Sequence, residues 1–452
     1  MSLRKPLRLA LLGGLVSLLL TGCMISRGVE ELYVLPKLPE EYQTLSEQIA
    51  AILAGGAEYA APTAGTNLQS VQLVDLNGDG EEEAVAFFRS NSEEKPLKIY
   101  IFQATGESYQ QMSIIEGSGT AIQSIRYVDM DGDGVREILV SWRVSAEVQA
   151  LEVYSLQDLA APLVSTAYTR CETADLDGDG LLELVVVRSD GSETGGSAAD
   201  YYDWDAEGKS LQLRSTAKLS MTVAELQWMQ TGALADGRAA VFLTGVVTGA
   251  EETARAVTDI LTDQQGELTN IVLSSSTGVS TEIFRHLNLQ PADIDGDGAT
   301  DVPMPALLPG ASDEEPYWKI YWRSYAADGS PAREIITYHN QADGWYLLIP
   351  EEWDGHFTVR QVNASAAEHS TIFYSVSGGQ PDKELLTICA LTGTDREVQA
   401  SRGGRVILRR QTGSIYTLAV SDAYSEWKWY VDQDSLRERF SVISAQWSTG
   451  EN

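Results

Sequence analysis

From about residue 68 onward the apolar residues fall in short alternating or continuous runs bounded by Gly, Asn, Ser or Asp, not at helical spacing. That pattern predicts strands joined by tight turns. The first stretch shows it, with runs at 71–74, 84–88, 97–102 and 109–115 that predict four strands. Ahead of it, Pro39, Glu40 and Glu41 open an amphipathic helix with Tyr42, Leu45, Ile49 and Ile52 on one face, and Gly55-Gly56 ends it. Its polar face is acidic and unsuited to an anionic membrane surface, so the helix is expected to pack against the body of the repeat domain. After about Asn340 the rhythm changes. Strand-like runs continue at 357–362, 371–376, 385–391, 406–409 and 415–420, residues 435–447 read as a helix, and 341–452 is expected to be a compact α+β domain.

Between these ends the pattern repeats. The segments Val71-Gln-Leu-Val-Asp-Leu-Asn-Gly-Asp-Gly80, Ile125-Arg-Tyr-Val-Asp-Met-Asp-Gly-Asp-Gly134, Cys171-Glu-Thr-Ala-Asp-Leu-Asp-Gly-Asp-Gly180 and Leu289-Gln-Pro-Ala-Asp-Ile-Asp-Gly-Asp-Gly298 are one motif. Asp75 to Asp129 is 54 residues and Asp129 to Asp175 is 46, but Asp175 to Asp293 is 118, room for two units. A degenerate copy fills that gap, with Leu226-Gln-Trp-Met leading into Ala235-Asp236-Gly237 and an apolar run at 239–243. Five units of four strands over 68–340 predict a mainly β chain. The expected form is a β-propeller of about five four-stranded blades, six or seven if the C-terminal region adds strands, plus the α+β domain. Each acidic loop joins the first two strands of its blade, so the loops are expected along one rim.

The loops have the chemistry of a hard-cation cage. Ca²⁺ takes six to eight oxygens from carboxylates, amides, backbone carbonyls and water. Counting from the first Asp, positions 1, 3, 5 and 9 are Asp75, Asn77, Asp79 and Glu83 in the first loop, with the carbonyl of Glu81 at position 7. The second offers Asp129, Asp131, Asp133 and Glu137 with Val135, the third Asp175, Asp177, Asp179 and Glu183 with Leu181, and the fourth Asp293, Asp295, Asp297 and Asp301 with Ala299. Up to four Ca²⁺ ions are expected. Gly80, Gly134, Gly180 and Gly298 hold position 6, where the chain must turn without a Cβ in the way. An EF-hand is excluded, because it needs a Glu at position 12 and flanking helices, whereas position 12 is Ala86, Val140, Val186 or Met304 between strands. Metal-free Asp-Gly turns are the alternative, but four copies with every position filled would leave like charges crowded around nothing. The degenerate copy has Gly232, Leu234 and Ala240 at positions 1, 3 and 9 and is expected to bind nothing.

On these residues the 68–340 region resembles the FG-GAP/VCBS repeats of integrin α-subunit propellers and of many bacterial surface proteins. The resemblance implies that calcium in the hairpins stiffens the blades while recognition occurs elsewhere on the surface. Five units, where six or seven blades are usual, and Pro303 and Pro305 in the fifth unit's second strand depart from that pattern. The opening Tyr346, Pro350 and Trp353 of the C-terminal region is similar to that of PsbP-like α/β/α sandwiches.

Charge and the N-terminus place the chain. A formal charge of −33 and a pI near 4.4 argue against nucleic acid and anionic headgroups, since both need a positive surface. Arg4, Lys5 and Arg8 precede an apolar run at 9–20, too short to span a bilayer, and then Leu20-Thr21-Gly22-Cys23. That order is an export signal over 1–22, and its end resembles the lipobox of bacterial lipoproteins, which implies lipid on Cys23, a tether over 23–39 and display on the outer face of the cytoplasmic membrane. The helix and a linker occupy 40–67. Cys171 and Cys389 lie in different predicted domains, support no disulfide framework and read as small buried hydrophobes.

Catalytic signatures are missing from the sequence: His286, His339, His356 and His369 fall in no metal-binding spacing, and there is no nucleophile elbow, phosphate loop or dinucleotide fingerprint. Tyr201-Tyr202-Asp203-Trp204 and Tyr317-Trp318-Lys319-Ile320-Tyr321-Trp322 are candidates for a sugar- or peptide-binding face, although core packing explains such residues more often. The expectation is a non-enzymatic, calcium-binding, membrane-anchored extracellular module of the adhesion type that recognises a protein or glycan. An envelope scaffold or assembly factor is the alternative, and a carbohydrate-active enzyme a third.

Overall fold

The computed structural model describes residues 40–443, except 91–93, 107, 147, 193–194, 206–207, 249–253 and 312–315. The expected signal segment, Cys23 and the tether lie outside the described residues. Among the described residues no helix is long and apolar enough to cross a membrane.

The chain is mainly β and propeller-like, a succession of antiparallel sheets of four or five strands. The first sheet contains Val71–Val74, Glu83–Arg89, Leu97–Thr105 and Ser108–Gly117, with the two-residue strand Glu58–Tyr59 beside Glu83–Arg89. Ala121–Val128, Glu137–Arg143, Gln149–Tyr154 and Val164–Tyr168 form the second. The third is Arg170–Ala174, Glu183–Ser189, Ser197–Asp205 and Ser210–Lys218. The fourth, the degenerate unit, is Leu226–Ala233, Ala239–Thr248 and Ala254–Asp263, the last flanked by Leu268–Asn270 and Ile283–Arg285.

The second strand of each unit is apolar on both faces because each sheet is packed on both sides. Alternate side chains point to opposite faces. Val85 and Phe87 therefore meet Ile138, Val140 and Trp142 of the second sheet, while Leu139 looks the other way and meets Leu184 and Val186 of the third. Val185 and Val187 in turn pack on Val241 and Leu243 of the fourth, and Phe242 packs on Val302 and Tyr325 of the fifth. Each such fully buried aliphatic or aromatic side chain contributes about 1.5–3 kcal/mol. The opposite face of the first sheet, Ala84, Ala86 and Phe88, is covered by helix α1 (Glu40–Ala54) through Leu45 and Ile49. No core cluster among the described residues joins the sixth sheet back to the first.

The expected boundary at 340/341 falls inside the fifth sheet. That sheet runs Val302–Leu307, Trp318–Tyr325, Pro331–Asn340, Trp345–Ile349 and finally Phe440–Val442, so strands on both sides of residue 340 pair in register, Asn340 opposite Trp345. Residues 433–438 form a short helix, and the chain then turns into that last strand instead of continuing the helix expected over 435–447; Phe440 is buried against Trp345 and Tyr416. The unit's first strand shrinks to an isolated bridge between Ala292 and Asp301, because Pro291 beside it has no N–H to donate. Pro303 and Pro305 are tolerated because Val302–Leu307 is the sheet's edge. A sixth sheet, Phe357–Ser365, Glu368–Ser377, Gln380–Leu391, Ile415–Val420 and Val406–Arg410, shares one core with the fifth through Tyr338, Leu347, Phe373 and Leu386. Its far side, at Cys389 and Leu391, lies under the helix Arg396–Ala400.

Candidate metal centre

All four acidic segments form the same loop. In the first three units the ladder between the first two strands stops where position 9 pairs with the residue before position 1, as with Val74 and Glu83. The Asp at position 1 then organises the turn. Asp75 accepts the N–H groups of Gly78 and Gly80 at 2.8 and 3.1 Å, and Asp129, Asp175 and Asp293 do the same at 2.8 and 3.0–3.1 Å. Position 3 accepts from the N–H of position 5, and position 5 from that of position 7, as in Asp177–Asp179 at 3.0 Å and Asp179–Leu181 at 2.8 Å. Glu81, Val135, Leu181 and Ala299, expected as carbonyl ligands, are tied into their loops by these position-7 N–H groups. The position-1 aspartates thus commit both oxygens to backbone N–H groups and keep only their remaining lone pairs for a cation, whereas the acids at positions 3 and 5 commit one oxygen to the backbone.

Position 9 is the buried member. Glu83, Glu137, Glu183 and Asp301 are at most 4% exposed, and each accepts the N–H of position 2: Leu76 at 2.9 Å, Met130 at 3.1 Å, Leu176 at 2.6 Å and Ile294 at 3.4 Å. Position 2 is itself a core residue in every copy. Burial pushes these acids up, and the neighbouring loop acids add to it: Glu83 is raised, Glu137 and Asp301 reach about 7 and Glu183 about 8. Burial likewise raises Asp131 and Asp177. In the third loop the carboxylates of Asp175, Asp177, Asp179 and Glu183 all bring an oxygen within 4.8 Å of one another, as do Asp129, Asp131 and Glu137 in the second and Asp293, Asp295 and Asp297 in the fourth. Asp133 and Asp301 fall outside those groups. Asn77 replaces an acid in the first loop, and its amide nitrogen donates to Asp79 at 2.9 Å and Glu83 at 3.2 Å. Glu183 Oε1 is buried with no hydrogen-bond partner. A hard divalent cation fits this donor set, which is all oxygen, predominantly anionic and partly unsatisfied.

Successive loops touch. The N–H of position 8 donates to the carbonyl of position 2 in the preceding loop, Arg136 to Leu76 at 2.7 Å and Leu182 to Met130 at 2.9 Å; Thr300 reaches Ala233 of the degenerate copy at 2.8 Å. In the degenerate copy the ladder zips two pairs further, to Ala233 opposite Ala239, and Leu234 fills the core instead of facing an ion.

One feature of the fourth loop had no signal in the motif. Arg333, from the third strand of the fifth sheet, sits 2.7 Å from both Asp295 and Asp297, so the fourth loop carries its own cation. The aromatic candidates, in contrast, are mostly structural: Tyr201, Trp204, Ile320 and Trp322 are buried, and Trp318 packs on the Trp322 side of the sheet. Cys171 is half-buried in the seam between the second and third sheets, its thiol pushed up to about 11 by burial.

Residues 75–140 match the FG-GAP-like repeat family model, a span running from the first acidic loop through the second. No curated protein matches the chain. Among solved structures, a protein from Lactobacillus plantarum is 12% identical over 71% of this chain and 85% of its own, with a TM-score of 0.24. An exo-β-1,3-galactanase from Clostridium thermocellum is 11% identical over 82% of each chain, with a TM-score of 0.24.

Proposed function

We propose that this chain is a calcium-stabilised, non-enzymatic binding module held at the outer face of the cytoplasmic membrane by lipid on Cys23, where it recognises a protein or glycan. The observation that supports calcium is the buried acid at position 9, repeated in four loops and set among further carboxylate oxygens. Without a cation each such acid is kept protonated by its surroundings or repelled by its neighbours. With one, the repulsion becomes coordination. The position of the loops supports a structural role: each stands at the seam between two sheets, so an ion there braces the joint. The FG-GAP-like repeat supports a binding module, and the net charge of −33 supports a partner other than nucleic acid.

Melting with and without calcium tests the reading. A site held at a hundred times its Kd adds about 2.7 kcal/mol, so exhaustive chelation is expected to lower the melting temperature strongly and calcium to restore it. An unchanged melting curve would sink the calcium reading.

A further inference from the structure

The fourth unit has no acidic loop of its own, yet it carries a buried aspartate in the seam it shares with the third unit. Asp263 closes the strand Ala254–Asp263. By two-residue alternation it points the same way as Leu261, which packs with Val185 and Tyr201 in the core between the third and fourth sheets. Glu183 lies two residues before Val185 and projects into the same seam from the opposite side. Three oxygens there have no hydrogen-bond partner, Glu183 Oε1, Asp263 Oδ2 and the Tyr201 hydroxyl, and all three residues are at most 9% exposed. The other oxygen of Asp263 accepts the N–H of Gly266 at 3.1 Å.

Charge balance points the same way. Asp177 and Asp263 line one groove of about 770 Å³ together with Glu267, Asp328 and Arg238. Arg238 is engaged by Asp236 at 2.7 Å, and Arg214 by Asp203 at 3.0 Å. Among the described residues no lysine or arginine pairs with Asp175, Asp177, Asp179, Glu183 or Asp263, whereas the fourth loop has Arg333. A buried carboxylate oxygen with neither a donor nor a counter-charge is costly, and this seam holds two of them beside the third loop. Asp263 stands outside the four carboxylates whose oxygens lie within 4.8 Å of one another, so an ion bound there would draw its side chain in.

We propose that Asp263 completes the third loop's site, so that one hard divalent cation is bound jointly by the third and fourth sheets, with the Tyr201 hydroxyl as the neutral oxygen beside them. This rests on the calcium reading above and deepens it. The unit that lost its own loop is fastened to its neighbour through a shared ion, and with five carboxylates and no built-in counter-cation this site is the tightest in the molecule.

Calcium titration of the full chain, followed by calorimetry and native mass spectrometry, tests it with Asp263→Asn and the control Asp236→Asn. Asp263→Asn is expected to weaken the tightest site at least tenfold and Asp236→Asn to leave it unchanged. In chelator Asp263→Asn is expected to melt at or above the wild type, because it removes a buried uncompensated charge. If the wild type binds calcium and Asp263→Asn titrates identically, the shared site is wrong while the calcium reading stands. A lower melting temperature of Asp263→Asn in chelator would make Asp263 merely structural and also overturn the proposal. Should the wild type bind no calcium at all, both readings fall.

Discussion

Residues in the acidic loops serve two masters, the backbone turn and the oxygen cage, and glycine decides whether both are met. Gly78 and Gly80 have φ of +73° and +88°. A Cβ on Gly80 meets nothing within 4 Å, whereas one on Gly78 would lie 2.5 Å from the carbonyl oxygen of Gly134 in the next loop. Gly80→Ala is therefore expected to cost only the left-handed backbone penalty, about 1–2 kcal/mol. Gly78→Ala is expected to cost more and to perturb the second loop as well, which denaturant unfolding of the two variants in calcium would compare. His339 is a different kind of residue-scale device. It lies between Trp322 and Tyr346, ring centroids 5.7 and 5.0 Å away, and burial drives its pKa down to about 3. The unfolded chain, with an ordinary histidine near 6.5, binds the proton more readily. The contribution is thus complete above about pH 6.5 and is lost as pH falls toward 3, at up to about 1.4 kcal/mol per pH unit. His339→Phe keeps the ring stack and is expected to flatten that part of the stability profile; equal acid slopes for variant and wild type would refute the assignment.

At the scale of elements, helix α1 matters because of what it covers. The strand Glu83–Arg89 is apolar on both faces, and while the second sheet takes one, Leu45 and Ile49 of the helix stand over Ala84, Ala86, Phe88 and Phe102 on the other. Backbone contacts pin the helix as well: Gln48 donates to the Tyr109 carbonyl at 2.6 Å, and the Thr44 hydroxyl accepts the Tyr109 N–H at 2.9 Å. Leu45→Ala is expected to cost about 2–5 kcal/mol and to release the helix before the sheets. Hydrogen exchange should show protection lost first in residues 40–54 and on Ser108–Gly117, with the third and fourth sheets unaffected. The helix was legible from its amphipathic face and its glycine stop. Its partner was not, because the sequence does not say which sheet face lacks a neighbour.

The whole molecule is a row of sheets joined by seams, each sheet in contact chiefly with the next, so stability is carried by nearest-neighbour interfaces. The last seam is closed from a distance. Phe440–Val442 returns to pair with Trp345, Tyr346 and Leu347 and places Phe440 in the core shared by the fifth and sixth sheets. Phe440→Ala is expected to cost about 3–5 kcal/mol and to loosen those two sheets while the seam between the first and second keeps its protection. Uniform loss of exchange protection along the chain would argue instead for a single cooperative unit.

Some of this was fixed by local rules and some was not. The strands of the first unit, the four loops and the degenerate copy could all be read from the chain, because alternation, turn glycines and ligand spacing act over fewer than ten residues and need no partner. The proposed role of the loops as oxygen cages rests on the same short-range spacing. What tertiary structure alone decided is where those cages stand and what balances their charge. Arg333 reaches the fourth loop from 36 residues beyond Asp297, Asp263 lines one groove with Asp177 of the third loop from another unit, and Phe440 pairs with a strand nearly a hundred positions earlier. None of these has a spacing to betray it, since the distance between two residues on neighbouring sheets is set by packing and not by the covalent path between them.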